Sequence, residues 1–184
     1  MTGPMTTDVP AQVTEFADQV VAYVKRSLGV TLAYDSETLP VLDHYVRQVP
    51  AEQPAARTLV IATAGAYYGE VVRRRMGGSW VVVGEPETWR LVLPGGLSFA
   101  PAGFVACAIE QTEADGYDTG MDAPPKMRDV FEATLDGMSP VSEQDYYSLC
   151  GRFDTLEHVQ DVLLARARQI AEREAPAAAG RDKN

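Results

Sequence analysis

The chain has 184 residues, 46% of them hydrophobic and 23% charged, which is enough for one substantial core and sets a single domain as the expectation. A net charge of −10 speaks against nucleic acid as a partner, because that role needs a basic face to neutralise phosphates. No run approaches the ~18 apolar residues of a membrane span, and the opening MTGPMTTDVP has neither a basic nor an apolar leader segment, so a cytoplasmic protein with two reduced cysteines, Cys107 and Cys150, is expected.

Residues 1–7 read as a loose terminus, with Asp8 as helix cap and Pro10 in the first turn. Val13, Phe16, Ala17, Val20, Val24 and Leu28 then recur at helical spacing until Gly29 closes the stripe. Asp35 and Ser36 offer a second cap, followed by Leu39, Leu42, Val46 and Val49 up to Pro50. Ala51–Arg57 reads as a connector.

The stretch from Thr58 to Val83 organises the rest. Leu59 to Ala66 is almost unbroken apolar sequence, and Ala62, Gly65, Ala66 and Gly69 form one stripe of small residues along a helix. Two glycines inside a helix cost roughly 1 kcal/mol each relative to alanine, so the stripe predicts close approach of another backbone. Arg73, Arg74 and Arg75 suit the negative end of the helix dipole, and Gly77 is a natural terminator.

Trp80–Val83 and Trp89–Leu93 flank a GEPE turn and predict a hairpin. Pro94-Gly95-Gly96 makes a further turn, and Phe104–Ile109 reads as another strand with Cys107 packed inside it. Gln111–Pro125 is rich in Asp, Gly, Thr and Pro and reads as a long loop. A short helix around Val130–Leu135 ends at Gly137, and Ser142 with Asp145 resembles a capping box. Asp154 and Glu157 repeat that signal ahead of a long helix carrying Leu156, Val159, Leu163, Ala167 and Ile170 on one face. The expected fold class is α+β: N-terminal helices and a central buried helix packed on a small antiparallel sheet, followed by C-terminal helices. Residues 1–174 form the single domain, and residues 175–184 a mobile tail.

Chemistry-bearing patterns are sparse. His44 and His158 each stand alone, which assembles no metal site, and DGYDTGMD lacks the alternating spacing and bidentate Glu of a calcium loop. The glycines match neither a phosphate loop nor a dinucleotide fingerprint, no nucleophile elbow is present, and nothing fixes Cys150 against His158. No catalytic residue, metal or cofactor is therefore assigned. Glu70 is the one polar residue singled out on the central helix. Beside the core it must either pair with Arg73, Arg74 or the Trp80 indole, or shift its pKa upward and become a candidate general acid.

The segment GAYYGEVVRRRMGGSW, with LAYDSETLPVLDHYV before it, resembles a group of small, uncharacterised bacterial proteins with a Gly-x-x-x-Gly-Glu motif followed by Gly-Gly-x-Trp. Gly65, Gly69, Glu70, Gly78 and Trp80 carry the resemblance, which covers about residues 28–110. It implies no catalytic activity and assigns no functional residue.

Between Glu110 and Asp145 ten acidic residues face two basic ones, Lys126 and Arg128. The expectation is a non-enzymatic interaction protein, of immunity or regulatory type, that meets a basic protein surface. Asp118 and its neighbouring carboxylates would steer the encounter, and Tyr117 and Met121 would anchor it. The alternative is a small-ligand binder or enzyme using Glu70 with Tyr67, Tyr68 or an arginine in a pocket by the central helix.

Overall fold

A computed structural model describes residues 9–178. Helix α1 (Ala11–Leu28) buries Val13, Ala17, Val20 and Val24, and ends where Gly29 turns left-handed at φ 71° and donates its N–H to the Lys25 carbonyl. The cap expected at Asp8 lies outside the described residues. Asp35 caps a single 3-10 turn by accepting from Thr38 N at 3.0 Å. Helix α2 (Leu39–Val46) follows, shorter than its apolar spacing predicts.

Helix α3 (Pro54–Met76) is the centre of the fold. It starts at Pro54, inside the expected connector, because proline at the first helical position gives up an N–H that has no partner there anyway. Every residue from Val60 to Val72 is buried, so the helix is covered all round by α1, α2, α4 (Pro101–Glu110) and α7 (Leu149–Ala178). The small stripe meets the expected backbone at Gly65 and a side-chain ring at Gly69. A methyl group built on Gly65 would lie 2.8 Å from the Ala102 Cα in α4, and one on Gly69 would lie 2.2 Å from the Trp80 ring.

The sheet is antiparallel in the order β1 (Ser79–Val81), β2 (Arg90–Val92), β3 (Ser98–Phe99) and β4 (Met121–Asp122). Trp80, Leu91, Phe99 and Met121 stand opposite one another in register and form one row across it. Leu91 and Phe99 are fully buried in that row.

Four expectations differ from the structure. Phe104–Ile109 is no strand but most of α4. Pro101 to Ala108 is buried on every side, so the segment shows no amphipathic period, and a short apolar run cannot be told from a buried helix by alternation. Its end is held by Gln111, whose left-handed φ of 57° lets its N–H reach the Cys107 carbonyl. The Gln111–Pro125 loop contains β4, so it is partly sheet. Helix α7 starts at Leu149 rather than at the Asp154 capping signal. Its first amides are capped from a distant helix: Asp43 of α2 accepts from Leu149 N at 2.8 Å and Cys150 N at 3.1 Å. The helix also runs to Ala178, four residues into the stretch expected to be a loose tail. Helices α5 (Arg128–Asp136) and α6 (Glu143–Tyr146) form as expected, the latter with Ser142 accepting from Asp145 N at 3.1 Å.

Candidate functional site

Glu70 is closed. The residue is 3% exposed, and both carboxylate oxygens are engaged. Trp80 Nε1 and Arg73 Nε donate to Oε1 at 2.7 and 2.8 Å, and Arg73 Nη2 donates to Oε2 at 3.1 Å. Arg74 adds a weaker ion pair at 3.8 Å while its guanidinium stacks over the Tyr34 ring. Tyr67, fully buried, accepts from Tyr34 N at 2.9 Å and bonds the Thr38 hydroxyl at 3.1 Å. This network fastens α3 to its surroundings. Trp80 covers Gly69 with its ring and reaches Glu70 with its N–H, which is why glycine and glutamate stand side by side.

The acidic loop is also more tied down than its composition suggests. Arg90 on β2 donates to Asp118, to Asp122 at 2.6 Å and to the Ser98 hydroxyl at 3.1 Å. The Asp118 backbone lies against α4 where only a glycine, Gly103, leaves room for it. Tyr117 is half-buried against the core, and burial raises its hydroxyl pKa. The four residues singled out in the sequence therefore do not converge. Glu70 belongs to the α3 network, Asp118 to the outer sheet face, Tyr117 to the core margin, and only Met121 reaches an open concavity.

That concavity is a groove of about 720 Å³ between the end of β4, the α5–α6 segment and the first turns of α7. Gly137 ends α5 and Ser142 starts α6, and the residues between them, Met138 to Val141, form one wall. Three large apolar side chains stand exposed there: Met138 at 36%, Val141 at 61% and Tyr146 at 48%. Asp136, Glu143, Asp145 and Asp154 line the same groove. Its single basic residue is Arg152, which is buried beneath aromatic rings. A smaller pocket of about 380 Å³ near Ser36 and Glu157 is polar, and its one arginine, Arg75, already donates to Glu157 at 2.7 Å.

The cysteines are poorly suited to nucleophilic work. Both are free, and burial raises the Cys107 thiol. The Cys150 thiol is pushed up to about 12, first by burial and then by its bond to Asp43. The thiolate is the reactive form, so neither is activated. Among the described residues no group of three His, Cys, Asp or Glu side chains is placed to hold a metal ion, and no helix is long and apolar enough to cross a membrane.

Sequence reasoning missed Met138, Val141, Tyr146 and Arg152. A signal existed for Arg152, which falls between Leu149 and Leu156 on the apolar face of α7. Placing the helix start at Asp154 left that turn out of the pattern. Compared with models of protein families, with curated proteins and with solved structures, the chain matches none.

Proposed function

We propose that the chain is a cytoplasmic, non-enzymatic interaction protein of immunity or regulatory type, and that its partner docks a basic, apolar-anchored segment in the groove between α5, α6 and α7. The observation that carries this reading is the coincidence of exposed Met138, Val141 and Tyr146 with four carboxylates around one concavity. Apolar side chains that can be desolvated supply binding energy, and carboxylates at the rim select and steer a cationic partner. The acidic loop plays the lesser part, since Asp118 and Asp122 are already paired with Arg90. The Glu70 alternative is weakened by the two side chains that occupy both of its oxygens.

The test is capture of an identified partner from the native host by three proteins: wild type, a Met138→Lys, Val141→Lys groove variant, and a Tyr117→Ala, Asp118→Lys loop variant. The groove variant is expected to lose the partner and the loop variant to keep it. Wild-type association should slow as salt rises, because exposed charges are screened beyond about 8–10 Å. Loss in the loop variant alone would move the interface to residues 111–125. Equal retention by all three would overturn the reading.

A further inference from the structure

Arg152 sits at the floor of the groove, and the residue is 4% exposed. Its guanidinium lies 4.8 Å from the Phe104 ring centroid, 4.4 Å from that of Tyr146 and 5.8 Å from that of Tyr147. Among the described residues Nε and Nη2 are buried without a hydrogen-bond partner. The nearest carboxylate oxygen, Glu113 Oε1, is 4.0 Å from Nη2, beyond hydrogen-bonding distance, and Glu113 itself is largely exposed. Aromatic faces attract a cation but leave its N–H groups unmade. An unmade donor on a buried charge is among the costliest arrangements a fold can keep. The two empty donors share one edge of the guanidinium. That is the edge Arg73 presents to Glu70, where it holds a carboxylate with two bonds.

Resting on the groove reading, we infer that Arg152 is the receptor for the C-terminal carboxylate of the partner's docking segment, with the terminal apolar side chain against Tyr146, Tyr147 and Met121 and basic residues upstream on the acidic rim. The guanidinium edge matches a carboxylate in shape and charge. Asp136, Glu143, Asp145 and Asp154 would repel a dianion such as a phosphate monoester, whereas a single carboxylate preceded by cations satisfies both floor and rim. An α-carboxylate also carries its apolar side chain on the same carbon, and here the unfilled donors adjoin the aromatic wall. Tyr146 is the ring that must swing aside, and it is the more exposed of the two tyrosines. Glu113, already facing Nη2, competes weakly for the same edge.

The probe is a fluorescent peptide pool, Lys-Arg-Lys-Xaa-Xaa-Leu with Xaa mixed, made as the free acid and as the C-terminal amide, and read by anisotropy. A third pool places glutamate before an amidated leucine. The wild-type protein is expected to bind the free acid at least tenfold more tightly than the amide. Arg152→Gln should erase that difference, and Glu113→Gln should enlarge it. The acid–amide comparison is made on the wild-type protein, so it decides the matter even if Arg152→Gln does not fold. Equal binding of acid and amide overturns the role of Arg152 and leaves the groove reading standing. Tight binding of the glutamate pool overturns the terminal assignment in favour of a side-chain carboxylate. Failure of every pool to bind overturns the groove reading and this inference together.

Discussion

At the scale of single residues, the Gly69–Glu70–Trp80 cluster ties local sequence to packing. Gly69 makes room for the indole ring, and Glu70 receives its N–H at 2.7 Å. Gly69→Leu is expected to lower stability by about 1–3 kcal/mol or more, because the ring must move and cannot keep its hydrogen bond. Trp80→Phe removes the donor together with the outer indole atoms that lie over Gly69, so it should cost more than the about 1 kcal/mol of a hydrogen bond alone. Chemical denaturation of both variants measures this. A Gly69→Leu midpoint equal to that of wild type would sink the close-approach account. Glu70 was legible in the sequence together with its partners Arg73 and the Trp80 indole, whereas the packing of that same ring over Gly69 was not.

At the scale of elements, α7 is the instructive case. Its apolar stripe was readable, its start was not, because the group that caps Leu149 and Cys150 comes from Asp43 in α2. Asp43→Ala should destabilise the protein by about 1–2 kcal/mol, since it removes a helix cap and leaves two amides without partners. Amide hydrogen exchange should quicken at Leu149 and Cys150 first. Unchanged protection at those two positions would mean that the remote cap is unimportant. Gln160 fastens the same helix further along, donating to the Met76 carbonyl at 3.0 Å and the Pro94 carbonyl at 3.4 Å. Helix α4 shows the opposite failure: its alternation of apolar residues looked like a strand, yet burial on all sides removes any period from which a helix could be read.

At the scale of the whole molecule, a single cluster of buried side chains runs from Val13 in α1 to Leu163 in α7 and includes Cys107. A buried thiol in such a core reacts only when the core opens. Titration with a thiol reagent should label Cys107 only across the unfolding transition, with the same midpoint that far-UV circular dichroism reports. Cys150 should label slowly in the folded protein at pH 8, because its thiol is held up to about 12 and little thiolate is present. Earlier labelling of Cys107 would show that α4 opens by itself. A disulfide in protein purified without reductant would overturn the expectation of free thiols in a cytoplasmic protein.

By itself the sequence determined the fold class, the central helix and its small-residue stripe, the first hairpin, and the caps at Gly29, Gly77 and Ser142. Each depends on residues within a few positions of one another, so periodicity and turn chemistry suffice. The sequence also marked the 110–145 region as acidic, but it could not say which carboxylates stay free. Folding brings Arg90 against Asp118 and Asp122, and it sets Met138, Val141 and Tyr146 on one rim with Asp136 and Glu143. It alone buries Arg152 between Phe104 and Tyr146. The reason is physical: whether a charge is solvated, paired or stranded depends on which distant elements close over it, and no local pattern encodes that neighbour.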